Sequence, residues 1–587
     1  MTFQYSDSTL TAVLYSSKDA NLFLVESPSV DRVFALTPDA RATLQNSNFT
    51  LLTTLETYSD YAHRRALARV RRMERNIESH IQHLEELSVA AQETLNALLH
   101  ALAMFSARLW ETLKGTGPWL IHNSKGWEKI DNLKEAHRIM LVQIASQNSI
   151  TSLGYGRSFW SPIIKILNQG ILKIAKNQQV VLVTGYEYGL TSLSQELNQT
   201  HGNLSTLAVS GSSGKFREVL KAVLSIIRTL ARKGNRKFTA VPTYSENKVK
   251  IVEQYFYFIT DPVIRNALEF FKNSLIKDVV MTDGLKKEIE ILVKNLQIKT
   301  ILAHTLRWGS DAMLGEVSLQ YRIPCTLISH GSHSSPANIT SAFEHSHIMR
   351  GLLFSPLASN NLLQSPHAEQ AIKSFKKSYP YSRSRPIMWG YRQLTPVPKN
   401  DSIRTILHAG TYKLWSKTRP WVFETSDEFV VGLVKLVQAV QQLEKTKLII
   451  RFRLFPECQI KSLKQLLPKS NCYEIKTSGA FMEDLAKTDL LVSYASTTIE
   501  ETLYARRPVL LWGGSRRYLH IPAREMCPTE NDRSAIYAPE NEKQLLPMLK
   551  SILKYHTGNP LTDDELKDHV WFENVPGKME FLKQFVV

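Results

Sequence analysis

Cysteine is scarce. The four in 587 residues, Cys325, Cys458, Cys472 and Cys527, are scattered and show no CxxC spacing, which excludes a disulfide framework and a thiolate zinc site and fits a reducing compartment. Short chemical signatures are missing as well. There is no HExxH, no GxSxG and no EF-hand loop, and no Asp-x-Asp pair stands at a strand end, so the motifs imply no metal and no cofactor. SGSSGK at 210–215 has only two residues between its outer glycines and Phe216 after the lysine, so it reads as a connection and not as a phosphate loop. No window approaches the eighteen apolar residues of a membrane span, since the most apolar stretch, from about Leu95 to Trp110, is broken by His100, Ser106 and Arg108. The opening MTFQYSDSTLTAVLYSSKDA has no basic start followed by an apolar run, so no secretory signal is expected. A cytoplasmic chain follows, with peripheral contact on the inner face of the plasma membrane as its one link to lipid.

Acidic residues are also in deficit: 54 against 72 basic ones, a net charge of +18 and a pI near 9.5. That balance favours polyanionic partners, namely nucleic acid, an anionic membrane face or a phosphorylated lipid carrier. Six arginines (64, 65, 69, 71, 72, 75) crowd one helical pattern, which reads first as a solvated face, next as membrane contact and last as a nucleic-acid site, so no nucleic acid is expected. Hydrophobic content of 43% with 21% charged residues is ordinary for globular chains, and the length calls for two domains, with room for a third.

Glycine and proline vanish between Ser59 and Lys114, where Val70, Met73, Ile77, Ile81, Leu84, Leu87 and Ala91 recur at a helical period. The pattern predicts a long helix or helical hairpin, an insertion over about 59–150 of the first domain. Before it, TAVLY and NLFLVES read as strands. After it, apolar strands at 178–189, 299–309 and 323–336 alternate with helices at 215–233 and 310–320, the signature of a doubly wound parallel sheet. Residues 346–400 are irregular and rich in Ser, Pro, Tyr and Asn, and read as a linker. A second alternating series fills 401–587. The expected fold is α/β, with two Rossmann-like domains, 1–345 and 401–587, facing a cleft.

Ligands in such sheets sit beyond the carboxyl ends of the strands. In the second half those positions hold His408, Gly410 and Thr411, then Arg451 and Arg453, then Ser493, Ser496, Thr497 and Thr498 with Glu501 on the following helix. Hydroxyls and a helix start can take a phosphate, a carboxylate can take a sugar hydroxyl, and two arginines alternating on a strand can fork onto phosphate oxygens. These are the candidate donor contacts. In the first half the same rule selects Glu26, Glu187, His304, Arg307, Asp311, His330 and His333. His330, Glu187 or Asp311 could each serve as a general base; His304, Arg307, His333 and Glu26 stand on the acceptor side.

LISHGS at 327–332 and STTIEETLYARRPVLLWG at 496–513 resemble bacterial GT-B glycosyltransferases of surface polysaccharide (capsule and lipopolysaccharide) synthesis, in particular the capsule group with Kdo transferases that use a CMP-activated sugar. The resemblance covers about residues 295–515. It implies a carboxyl-terminal donor domain and an amino-terminal acceptor domain, with Ser496, Thr497 and Glu501 as donor contacts and His330 as an acceptor-side residue. It also implies metal-independent transfer of a sugar from a CMP- or UDP-type donor to a polysaccharide or lipid-linked glycan. The family's His-Pro after the middle donor strand is replaced by Phe455-Pro456, and the glycine of its hydroxyl turn is missing, which leaves the nucleotide base open. Ser496 to Glu501 is also similar to the Ser-Gly-Gly-x-Gln-Glu-Glu turn of non-hydrolysing nucleotide-sugar 2-epimerases, with Thr497 and Thr498 in place of the glycines. A basic nucleic-acid or membrane-binding protein on a degenerate GT-B core is the non-enzymatic alternative.

Overall fold

The computed structural model describes residues 9–123, 126–147, 153, 155–156, 159–185, 190, 193, 196–197, 204–213, 215–231, 236–329, 343, 346–347, 349–375, 383–390, 403–410, 424–455, 457–515, 519–572 and 574–584. They form three sheets.

The first is small: β1 (Thr11–Leu14), β2 (Arg32–Ala35), β3 (Thr50–Leu52), β4 (Trp119–Asn123) and β5 (Gly126–Ile130), in the order β3-β2-β1-β4-β5 and parallel except for β5. It is a sheet of its own within the 1–345 span that was expected to hold one domain. NLFLVES, expected as a strand, lies in the helix Ser17–Glu26. The Ser16–Asp19 capping box starts that helix, and burial of Ala20 and Phe23 with Val25 82% exposed is a helical period and not an alternation.

The stretch without glycine or proline is a helical hairpin, Asp60–Glu78 and Val89–Leu113, joined through a short 3-10 turn at Ile81–Leu84. It is not a projecting insertion. Val70, Met73 and Ile77 share one core with Phe34, Trp119 and Ile121 of the first sheet and with Leu275 and Val279 of the helix Pro262–Asp283. Three arginines of the cluster are spent on the protein itself: Arg65 pairs with Glu111, Arg69 with Asp261, and Arg71 lies over the Phe343 ring.

The second sheet holds β6 (Gln179–Val183), β7 (Leu204–Gly211), β8 (Lys237–Ala240), β9 (Gln297–Ala303), β10 (Cys325–Ile328), β11 (Asn360–Leu363) and β12 (Arg383–Pro386), ordered β12-β11-β10-β9-β6-β7-β8. Every pairing in it is parallel. Part of the expected 346–400 linker therefore belongs to this domain. Its strands NNLL and RSRP are short and polar enough to escape an apolar-run reading; RSRP is the exposed edge strand, which needs little apolar surface, and NNLL buries only its two leucines as apolar side chains.

The third sheet is β13 (Arg404–Ala409), β14 (Thr446–Arg451), β15 (Tyr473–Lys476), β16 (Leu490–Ser493), β17 (Val509–Leu511) and β18 (Ile536–Tyr537), ordered β15-β14-β13-β16-β17-β18 and parallel throughout. Both larger sheets are doubly wound. Their strand order reverses once, between β6 and β9 and between β13 and β16, and buried runs such as LLVS are what a sheet covered on both faces requires. This is the paired α/β, GT-B-like architecture expected from the sequence.

The chain end crosses back. Met388 bridges to Gly577, and in the helix Lys578–Lys583 Leu582 enters the core of the second sheet while Lys578 pairs with Glu196. The 401–587 span is thus shared between lobes. The first sheet also grips the third domain: the Tyr15 hydroxyl donates to Glu457 at 2.8 Å, Thr54 Oγ1 to Asp427 at 2.9 Å, and Gln459 N to Asp39 at 2.8 Å.

Candidate functional site

The reversal between β13 and β16 collects most of the expected donor residues. His408 ends β13 beside Val492 of β16. It is buried, and burial lowers its imidazole to about 4, so it is neutral at physiological pH. Its Nδ1 has no hydrogen-bond partner among the described residues. Gly410 follows where a Cβ would stand 2.9 Å from the Phe429 ring and 3.1 Å from His408, a close approach that favours glycine. At the end of the adjacent strand Ser493 Oγ, and at the start of the following helix Thr498 Oγ1, are buried and likewise have no partner among the described residues. Three buried polar atoms, two on neighbouring strands and one at the start of the following helix, are costly to leave unpaired, and a polar ligand would satisfy them. Thr411 lies outside the described residues.

The helix after the hydroxyl turn runs only from Thr498 to Tyr504. Ser496 Oγ accepts from Thr498 N at 3.3 Å, so this end of the helix is partly capped by the turn itself; Thr497 makes no side-chain cap. One side of the helix meets the other lobe: Glu500, fully buried, accepts from Ser365 Oγ at 2.9 Å, and the Tyr504 hydroxyl donates to Gln364 O at 3.0 Å. Glu501 is half-buried, and burial alone pushes its carboxyl up to about 7. The segment therefore sits at the junction of two lobes and carries a carboxyl that titrates near neutrality.

Arg451 and Arg453 do not form the expected pair. Arg451 ends β14, but its guanidinium is engaged by Asp484 and by the carbonyls of Gly479 (2.7 Å) and Ala480 (3.4 Å). Burial pushes Asp484 up, yet Lys476 and Arg451 more than offset this and hold it below the ordinary carboxylate value. Arg453 lies beyond the strand and is exposed.

In the second sheet the reversal point is occupied by His304. It is buried at the end of β9, and its Nδ1 lies 3.0 Å from Thr184 Oγ1 at the end of β6. Gly185, at φ +146°, follows Thr184 and passes close to the imidazole. Arg307 is buried against the Trp308 ring. Asp311 is in the first turn of the helix Gly309–Gln320, beside Ser310, whose N–H donates to the Tyr155 hydroxyl at 2.8 Å. Glu26 is displaced from this set: it ends an exposed helix on the first sheet and accepts from the Trp127 indole, because the segment that carries it is not a strand. Glu187, His330 and His333 lie outside the described residues.

One group escapes motif reading. Glu74, His100 and His347 bring their ligand atoms within 4.8 Å of one another, although the outer pair is separated by 273 positions. The two imidazoles stack with centroids 3.6 Å apart, and Glu74 bridges them, 2.6 Å from His100 Nδ1 and 3.1 Å from His347 Nε2. Burial works against the charge on Glu74, but the histidines more than offset it and hold the carboxyl at about 2. Burial and the neighbouring His100 lower His347 to about 4. With Arg307, Arg350 and Glu93 the group lines a cavity of about 360 Å³. Two imidazoles and a carboxylate are a donor set that could hold a divalent transition metal. A helical register that brings Glu74 and His100 together across the hairpin was the only signal available in the sequence.

No protein family's sequence model matches the chain, and no curated protein matches it. Among solved structures, the S. aureus MnaA–UDP co-structure aligns at 11% identity over 66% of this chain and 92% of its own, with a TM-score of 0.36. UDP-GlcNAc 2-epimerase from Neisseria meningitidis bound to UDP-GlcNAc aligns at 10% identity over 64% and 92%, with a TM-score of 0.34. Acinetobacter baumannii MurG aligns at 11% identity over 66% and 97%, also with a TM-score of 0.34. Likenesses this distant leave the chemistry to the residues of the chain itself.

Proposed function

We propose that the chain is a glycosyltransferase that moves a sugar from a nucleotide-activated donor of CMP or UDP type to a cell-surface polysaccharide or lipid-linked glycan. The observation that carries this is the set of buried polar atoms with no partner among the described residues, His408 Nδ1, Ser493 Oγ and Thr498 Oγ1, at the β13/β16 reversal. A nucleotide phosphate and ribose offer both donors and acceptors to such a set, and Glu501 stands within the same segment to accept from a diol. Phosphate stabilisation falls to Ser496, Thr497, Thr498 and the exposed Arg453, since Arg451 is held by Asp484. The acceptor enters from the lobe that carries His304, Arg307 and Asp311, and a base there takes the proton of its hydroxyl; proximity and oriented hydrogen bonds carry the rest of the catalysis. Transfer needs no bound cofactor in this scheme, and the nucleotide sugar is itself the substrate. The chain acts at the inner face of the plasma membrane.

Thermal-shift screening against CMP, UDP, GDP and TDP tests the donor site, since a ligand that binds only the folded state raises the melting temperature. A rise with one or two of these that disappears in Ser493→Val supports the site. No rise with any of them overturns it.

A second reading is favoured by Glu501. A carboxyl near pH 7 is poised to take and return a proton, as an epimerase working on a nucleotide sugar alone would require. Incubation with UDP-sugar in deuterated water and without acceptor separates the two: solvent deuterium enters the sugar in an epimerase and not in a transferase.

A further inference from the structure

The helix Phe216–Leu230, which joins β7 to β8, packs with its polar side inward. Its buried residues are Glu218, Ala222, Ser225 and Thr229. Its outward residues are Phe216 (60% exposed), Leu220 (57%), Val223 (37%), Leu224 (41%), Ile227 (55%) and Leu230 (65%). Hydrogen bonds fix this orientation. Glu218 accepts from Ser212 Oγ at 2.7 Å and Ser213 N at 2.9 Å, and Ser225 Oγ accepts from Lys237 N at 2.7 Å. Rolling the apolar face inward would break these bonds and bury no comparable set.

The apolar surface continues onto neighbouring elements. Phe159 is 81% and Ile166 70% exposed, and the Trp160 ring lies 4.8 Å from that of Phe216. An apolar face that runs along Phe216–Leu230 and continues through Trp160 to Phe159 exceeds the scattered single residues of ordinary surfaces. The exposed charges within the two segments that form it are basic, although Lys165 is paired with Glu288 of another helix. Lys215, Arg217, Lys221 and Arg228 are exposed along the helix, Lys173 and Lys176 on the neighbouring segment. Across residues 204–237 the single acid is Glu218, which is buried, and residues 159–177 contain none.

We propose that this face docks the chain onto an anionic phospholipid bilayer, with the helix Phe216–Leu230 lying in the interfacial plane. An amphipathic helix with aromatic and leucine side chains on one face and Lys/Arg at its flanks is the sequence chemistry of interfacial binding. A second copy of the chain is a poor occupant, because an isologous contact would set the flanking cations of one copy against those of the other. The arginines of the helix Asp60–Glu78, for which membrane contact was the second reading after a solvated face, are less suited: three of the six are engaged internally. The docking proposal does not depend on the sugar-transfer reading.

Co-sedimentation of the full chain with phosphatidylcholine vesicles, with and without phosphatidylglycerol, tests it in the absence of nucleotide. Binding should require phosphatidylglycerol and weaken with salt. Leu220→Glu with Ile227→Glu should abolish it, while Arg217→Gln with Lys221→Gln should weaken it about 30-fold, from about 1 kcal/mol per surface cation. All four side chains are exposed, so the melting temperatures should stay at the wild-type value, which excludes misfolding as the cause. Three results overturn the proposal: no vesicle binding, binding indifferent to phosphatidylglycerol or to the Leu220/Ile227 pair, or a dimer in solution that those two substitutions convert to a monomer.

Discussion

Glu501→Gln is the perturbation whose consequences the structure fixes most closely. A glutamate titrates ordinarily at 4.5, and burial pushes Glu501 to about 7. At about 1.4 kcal/mol for each tenfold in proton affinity, with a discount for its partial exposure, the folded chain disfavours the bare carboxylate by about 2–3 kcal/mol. Because the folded pKa lies above the unfolded one, the native state binds the extra proton between these two values. Wild-type stability gains from this group below about 4.5 and loses that gain as pH rises through about 7. Glutamine has no such transition. Urea denaturation of both proteins at pH 4.5 and pH 8 should therefore show Glu501→Gln gaining about 2–3 kcal/mol on wild type between the two pH values, all other titrations cancelling in the comparison. The same arithmetic reaches ligand binding. A ribose diol that donates to the carboxylate favours its ionised form, so CMP or UDP binding should release a proton below pH 7 and tighten as pH rises toward 7. Calorimetry in two buffers of different ionisation enthalpy reads that proton. If Glu501→Gln follows the wild-type pH dependence, the burial argument fails. If nucleotide binds at pH 6 with no proton release, Glu501 is not the diol acceptor.

Three further substitutions separate structure from binding. Ser365→Ala removes a hydroxyl that donates to the fully buried Glu500; hydrogen bonds to charged groups carry about 1.5–3 kcal/mol, and urea melts should show a loss of that size. Arg451→Met strips the Gly479 and Ala480 carbonyls of their donor but leaves Lys476 on Asp484. It should cost about 1–2 kcal/mol of stability with nucleotide affinity unchanged, while Arg453→Met should lower affinity with stability unchanged. The opposite pattern in calorimetry would return the phosphate role to Arg451.

How much of this was legible in the sequence follows from what each signal measures. The apolar runs TILHA, LLVS and VLL are strands of a sheet covered on both faces, and hydropathy alone finds such strands; the polar residues at their carboxyl ends, His408 and Ser493, inherit their places from the doubly wound topology. NNLL and RSRP carry no such run because they lie at the outer side of their sheet, so the linker was drawn through a domain. NLFLVES failed for the opposite reason. Its apolar residues are compact enough for a strand, and only the Ser16–Asp19 box ahead of them marks a helix. Arg451 was read as a ligand because strand position fixes where a side chain begins and not what it meets, and Asp484 comes 33 positions later. The Glu74, His100 and His347 group lies deeper still, since it needs a hairpin and a distant segment to come together before any spacing exists.

The helix Phe216–Leu230 shows where the hydropathy argument itself stops. A 3.6-residue period establishes that a helix has an apolar side, and globular packing then normally assigns that side to the core. Here the side is reversed: Glu218 and Ser225 are held inward by bonds to Ser212, Ser213 and Lys237 that periodicity does not register, with Ala222 and Thr229 buried beside them. The energetic balance explains why the reversal stands. Turning Glu218 outward would leave Ser212 and Ser213 without their acceptor, and turning Ser225 outward would leave the N–H that starts β8 unpaired, at about 1–3 kcal/mol for each buried group stranded. The exposed apolar residues would be a liability in a chain that stayed in water. The lysines and arginines of the same segments, with no exposed acid between 204 and 237, give that surface an anionic, apolar counterpart.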